Sequence, residues 1–283
     1  MILVTGGTGS FGHAYVRRHY GDDIRVLSRD EEKQRQMVAE FPDVEYVIGD
    51  VRDLETVRQA MRGVDKVFHA AALKQVPSCE FAPIEAVRTN VHGTDNVCRA
   101  ATEAGAKVVL LSTDKAVEPV GVMGATKMLA ESVCTNWGFN IVRYGNVIGS
   151  RGSIVPIFRQ MVSEGRPITL TDPEMTRFLI TMDEAMSLLD QVMGAPPMAE
   201  IFVPKLPAAT VEQMARCIAP GHPTRLVGVR PGEKKHELLI ASDEGFAELP
   251  DYFRVKPRMP GIGFVYSSEA APRLTDAELS ALL

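Results

Sequence analysis

The sequence predicts an α/β protein built on a doubly wound, mainly parallel sheet, with a smaller α/β part interleaved with it. Three observations lead there. Short apolar runs alternate with segments of helical period through the first half of the 283 residues. The runs are almost continuously apolar, as strands covered on both faces are. A glycine-rich stretch, VTGGTGSFG, follows the first run and opens the first helical segment.

The strands are read in order as ILVT (2–5), IRVLS (24–28), VEYVI (44–48), KVFHA (66–70), KVVLLS (107–112) and NIVRY (140–144). Helical spacing fills the intervals near 12–20, 31–40, 53–61, 82–104 and 124–137. Each strand followed by a helix argues for parallel pairing, with ligand sites at the carboxyl ends of the strands. After about residue 146 the regularity gives way to Gly-, Pro- and Thr-rich stretches such as GSRGSIVPIF and GRPITLTDPEMTRF, read as loops and short elements. EIFVPK (200–205) reads as a strand returning to the main sheet, and RLVGVRPGEKKHELLI as part of a smaller cap. Residues 1–146 are thus expected to bind a nucleotide, and 147–283 mostly to bind a substrate.

A net charge of −5, with no long basic run, gives no reason to expect nucleic acid. No stretch approaches 18 apolar residues, so no membrane span is expected. Cys79, Cys98, Cys134 and Cys217 include no CxxC pair and suit a reducing cytoplasm. The six histidines form no ligand spacing, so no metal site is expected. His69, at a strand end, reads as packing.

Gly6, Gly9 and Gly12 form GxxGxxG, with Thr8, Ser10 and Phe11 between them. Such glycines let a backbone turn tightly against a pyrophosphate at a helix N-terminus, where free N–H groups and the helix dipole favour anions. A tight structural turn is the bland alternative; the position at the start of a βαβ unit favours a dinucleotide. SRDEEKQ, after the second strand, offers Ser28, Arg29 and Lys33 to a ribose 2′-phosphate, which favours NADP, while Asp30 leaves NAD possible. Asp50 and Val51 suit an adenine contact. Ala70, Ala71 and Ala72, with Lys74, suit a close backbone approach to the nicotinamide ribose. Asn90 reads either as a polar group in a helix pointing at the same site or as an ordinary exposed Asn, and Tyr144 ends the sixth strand.

The segment LLSTDKAVEPVGVMGATK begins at the carboxyl end of the fifth strand. Asp114 and Lys115 are adjacent there, and in a partly buried loop each shifts the other's pKa, one serving as acid and the other as base. Lys127 lies one helical turn after Met123 on the same face. A thioether has no proton to give.

Together TGGTGSFG, SRDEEKQ, GDVRD, HAAALK, STDKAVEP, MGATK, RYGNVIGSRGSIVP, MTRF and VRPGEKKHE resemble the nucleotide-sugar 4,6-dehydratases that act on UDP-N-acetylglucosamine. These form the polysaccharide-biosynthesis branch of the extended short-chain dehydrogenases, on a Rossmann sheet. The motifs run in order along the whole chain. Most such dehydrogenases carry Tyr-x-x-x-Lys where this chain has Met123 and Lys127; several members of the branch also have methionine there. The resemblance implies a UDP-sugar substrate, a tightly held and recycled NADP, and a homo-oligomer. It implies C4 oxidation, loss of the C5 proton to Lys115 and of the C6 hydroxyl as water assisted by Asp114, then hydride return to C6, with C5 epimerisation open. Thr113 would hold O4 and Lys127 the nicotinamide ribose. Lys115 as base implies a depressed pKa. Asn146, Arg151, Ser153, Arg177, Arg230 and Glu233, with Lys74, would bind the sugar nucleotide. Gln75 departs from the pattern, which usually has His, and the chain is short between DYFRVKP and FVYSS. A 4-epimerase or reductase is the alternative enzyme; an NADP-sensing regulator is the non-enzymatic one.

Overall fold

A computed structural model describes all residues, Met1–Leu283. Six strands are laid down in the first half: β1 (Ile2–Thr5), β2 (Ile24–Ser28), β3 (Glu45–Ile48), β4 (Lys66–His69), β5 (Lys107–Thr113) and β6 (Asn140–Tyr144). Helices α1 (Ser10–Arg18), α2 (Glu31–Glu40), α3 (Leu54–Ala60), α4 (Val76–Phe81), α5 (Pro83–Ala86), α6 (Gly93–Ala104) and α7 (Val122–Asn136) connect them. The spatial order is β6-β5-β4-β1-β2-β3, all parallel. The order reverses beside β1, and the crevice at that switch point is where a ligand binds in such a sheet. Every residue of β2 and β6 is buried, including the polar Arg25, Ser28, Asn140 and Arg143, as in a strand covered on both faces.

The strand Ile201–Pro204 joins β6 in parallel, as its sequence suggested. Beyond it the sheet gains two strands not read from the sequence, Tyr252–Pro260 and Glu244–Glu248, both antiparallel. The rest of the second half has its own small core, in which Phe158, Ile168, Leu170, Met175 and Met214 are buried. The second half also holds a three-stranded sheet (Ala208–Thr210, Thr176–Ile180, Asn146–Val147) and two strand pairs. In one of these, Leu238–Ile240 pairs with Tyr266–Ser267.

A buried ionic network ties the two halves behind β5. Arg143 on β6 meets Glu131 of α7 at 2.6 Å and Glu244 at 2.8 Å, and donates to the Leu239 carbonyl. Glu131 also accepts from Ser112 at 2.5 Å, so the end of β5 is held from beneath. No helix is long and apolar enough to cross a membrane.

Candidate functional site

The carboxyl ends of β1, β2, β4, β5 and β6 enclose a cleft of about 510 Å³. Every residue assigned above to the dinucleotide lines it except Asn90. The loop after β1 is shaped by glycine. Gly6 has φ +67°, and a Cβ there would lie 2.8 Å from the Ala71 backbone; at Gly12 a Cβ would lie 2.3 Å from Gly7 Cα. Gly9 caps α1 without a side-chain cap, and the N–H groups of Ser10, Phe11 and Gly12 have no acceptor within the chain. That cradle fits a pyrophosphate.

At the end of β2, Ser28 Oγ shares a 2.7 Å hydrogen bond with Thr8 Oγ1. Asp30 caps α2, accepting from the Lys33 N–H at 3.0 Å, and its carboxylate also takes the Lys33 ammonium. That engagement holds Asp30 below the usual carboxylate range. Arg29 is half exposed, 3.3 Å from Asp50. A buried glutamine absent from the sequence reading, Gln34, donates to the Ser28 and Val47 carbonyls and fixes this corner.

Asn90 turns away from the cleft. Its amide donates to the Leu73 carbonyl and Thr126 Oγ1, and its oxygen accepts from the Leu73 N–H at 2.8 Å. It braces the loop after β4 against α7. Asn90 and Thr89 both lie in a π-helical turn over Val87–His92. Thr89 lines the cleft instead, its buried hydroxyl without a partner. Tyr144, stacked on Phe11 at 5.4 Å, presents a second such hydroxyl. His69 bonds Thr5 at 2.6 Å and Thr94 at 3.1 Å, and burial pulls it down to about 3, so it is a neutral packing group.

Met123 and Lys127 both line the cleft from α7 and are buried. Lys127 donates to the Leu111 carbonyl at 2.6 Å, and burial, partly opposed by Glu131, lowers it to about 8. After β5, Thr113 Oγ1 donates to Asp114 Oδ1 at 2.9 Å, and Lys115 Nζ donates to the same oxygen at 3.0 Å. Asp114 is fully buried, and Oδ2 has no partner. Burial pushes its carboxyl up against the opposing pull of Lys115. Thr113 and Lys115 line the cleft; Asp114 sits behind them.

Lys115 departs from expectation. Burial lowers its proton affinity, but Asp114 and Glu237 outweigh that and hold it above the ordinary lysine value. Glu237, 3.2 Å from Nζ and 1% exposed, lies in the VRPGEKKHE motif but was given no role from the sequence. Only folding brings it to Lys115.

On the substrate side, Asn146, Ser153 and Gln75 line the cleft, with Gln75 against Gly152. Arg151 is drawn to the phosphate loop: its backbone N–H donates to Ser10 Oγ at 3.0 Å and its guanidinium to the Thr8 carbonyl. Lys74 donates to the Arg151 carbonyl at 2.8 Å. Arg177 is buried, with its guanidinium committed to the Thr176 and Lys235 carbonyls, so it is a scaffold arginine and not a free anion ligand. Arg230 is exposed, 3.8 Å from Glu233, whose Oε2 is buried without a partner.

A family model described as polysaccharide biosynthesis protein matches residues 2–257. The chain belongs to that family. Among its relatives, a Campylobacter jejuni protein named UDP-N-acetylglucosamine 4,6-dehydratase (inverting) is 42% identical over 275 residues, covering 90% of this chain and 82% of that protein. A Rickettsia bellii protein named UDP-glucose 4-epimerase is also 42% identical, over 279 residues with the same coverage. The solved structure of Pen from Bacillus thuringiensis superposes with a TM-score of 0.94 at 34% identity, covering 99% of this chain and 95% of that one. The Streptomyces venezuelae dTDP-glucose 4,6-dehydratase DesIV, solved with NAD bound, shares the fold at a TM-score of 0.74 and 24% identity, covering 82% and 85%. The doubly wound Rossmann architecture is therefore that of sugar-nucleotide dehydratases and epimerases.

Proposed function

We propose that this protein is a UDP-N-acetylglucosamine 4,6-dehydratase using NADP. The observation that carries the reading is the Asp114–Lys115 pair at the carboxyl end of β5, beside a cleft where the acid/base tyrosine's place is taken by Met123. Redox at C4 alone needs one proton-transfer group; dehydration needs groups at O4, C5 and O6.

When bound, the dinucleotide supplies the acceptor for the C4 hydride and its return to C6. The chain supplies the proton steps. Thr113 holds O4 and takes its proton while passing its own to the Asp114 carboxylate, to which its hydroxyl already donates. The 4-ketone so formed acidifies C5–H, and Lys115 as the free amine takes that proton. Asp114, now protonated, returns a proton through the Thr113 hydroxyl to O6, which leaves as water. Lys115 then returns a proton to C5, and both groups regain their starting states. A buried acid beside a buried base suits this exchange. Lys127 holds the nicotinamide ribose.

Arg230 faces the diphosphate, and the unpartnered Glu233 oxygen accepts from a ribose hydroxyl. Ser28 and Arg29 favour the 2′-phosphate of NADP, because Asp30 is occupied as the cap of α2. The reading divides the chain at residue 146 into cofactor and substrate parts and makes it a cytoplasmic homo-oligomer.

The relatives named UDP-glucose 4-epimerase support a second reading, C4 epimerisation. Lys115→Ala separates the two. A dehydratase loses at least about 10²-fold in product formation when its C5 base is removed. An epimerase, which never breaks C5–H, keeps its C4 epimer.

A further inference from the structure

Lys115 is bracketed by two carboxylates that come from opposite halves of the chain. Asp114, its neighbour in sequence, meets Nζ at 3.0 Å; Glu237, more than a hundred residues away, meets it at 3.2 Å. Glu237 is mounted rigidly. Its N–H donates to Ser268 Oγ at 2.9 Å, and Ser268 Oγ in turn lies 2.7 Å from Thr176 Oγ1. The strand that follows, Leu238–Ile240, is paired with Tyr266–Ser267. The other charges facing this carboxylate are Arg177, 3.9 Å from Oε1, and Lys234, 3.6 Å from Oε2. His236, the residue before Glu237, shares a 2.8 Å hydrogen bond with the same Thr176 hydroxyl and lies 3.7 Å from Glu269. Behind Lys115 a small cavity of about 10 Å³ is lined by Lys115, Lys234 and Glu237 together, and Glu237 Oε2 has no hydrogen-bond donor.

We propose that Glu237 is a positioning residue for the reaction, reaching from the second half of the chain to hold the Lys115 amine beside Asp114 and to set its charge state. The inference rests on the dehydratase reading of Lys115 as the C5 base. In that cycle Asp114 is protonated first, by way of Thr113. When the Lys115 amine has then taken the C5 proton, Asp114 is still protonated and uncharged, Arg177 and Lys234 repel the new ammonium, and Glu237 is the one carboxylate left holding it. In the resting enzyme Lys115 must first release its proton to solvent before the cycle begins, so the pH at which the enzyme becomes competent is governed by Glu237. An opposite charge within about 4–6 Å typically moves a pKa by roughly one to three units.

The test uses the holoenzyme and Glu237→Gln, which keeps shape and removes charge. Two readouts are followed: the pH profile of kcat with UDP-N-acetylglucosamine, and the pH dependence of Lys115 acetylation, measured by mass spectrometry without substrate. The expected result is that the acid limb of kcat and the labelling midpoint both move to lower pH by about one unit or more, with plateau kcat reduced and KM little changed. A merely structural role would lower activity and leave both midpoints in place, and that result overturns the proposal. Glu237→Asp keeps the charge and shortens the reach, so it should hold the midpoints near wild type while lowering kcat. Should Glu237→Gln not fold, wild-type labelling decides: Lys115 must titrate above an ordinary exposed lysine, and a midpoint at or below it refutes the bracket. If the wild type turns over no UDP-sugar, the dehydratase reading fails, while labelling still judges whether Glu237 controls Lys115.

Discussion

Replacing Lys127 by methionine should change how the stability of the fold responds to alkali. The Lys127 ammonium is buried against the Leu111 carbonyl, and burial brings its pKa from 10.5 to about 8. Below pH 8 both folded and unfolded chains carry the proton, and the fold bears the full cost of burying it. Between about 8 and 10.5 the folded chain releases the proton while the unfolded chain keeps it, so stability rises with pH. Above 10.5 neither carries it, and the cost is gone. The gap between the two values is worth about 3 kcal/mol at roughly 1.36 kcal/mol per pH unit. Methionine fills similar volume and does not titrate, so subtracting the stability of the variant cancels every other titrating group. The assay is urea denaturation of nucleotide-free protein, wild type and Lys127→Met, at pH 7 and pH 10. Wild type should gain about 2–3 kcal/mol on the variant between those pH values. A flat difference would show that the amine titrates normally and that the cleft floor does not desolvate it.

Three further outcomes are expected. Arg143→Met leaves the buried Glu131 and the partly buried Glu244 without their shared cation and should cost about 3–5 kcal/mol of unfolding free energy, read by the same denaturation. Met123→Leu keeps an apolar group of similar size where no proton transfer is assigned, so kcat/KM should stay within about threefold; a loss of two orders of magnitude would give the thioether a chemical role. Arg29→Gln removes a half-exposed cation at the ribose corner, and should weaken NADP+ binding by about tenfold or more in calorimetry while leaving NAD+ nearly unchanged.

The parallel half of the fold was legible because its strands are buried on both faces. IRVLS and NIVRY are wholly buried, and their boundaries in the sequence reading match the structure. The two antiparallel strands beyond Ile201–Pro204 were not legible. Tyr252–Pro260 is half exposed, contains two prolines and has no continuous apolar run, so it carries little of the signal that marked the others. At the site, glycines and small residues announced the phosphate loop because backbone approach leaves no room for other residues. Asn90 was open because a lone helical asparagine suits an exposed site as well as a cleft, and Thr89 carried no motif; only the fold shows that Asn90 braces the Leu73 backbone while Thr89 lines the cleft. Arg177 looked like an anion ligand by its motif, yet burial commits its guanidinium to backbone carbonyls. Glu237 was beyond reach for another reason. Its partner is distant in sequence, and no local pattern encodes an ion pair that only tertiary packing creates.

The most direct measurement is mass spectrometry of UDP-N-acetylglucosamine incubated with the purified protein, without added cofactor. The account expects a product lighter by one water, with no net consumption of nicotinamide nucleotide. A sugar nucleotide of unchanged mass that is inverted at C4 would contradict it and make the protein an epimerase.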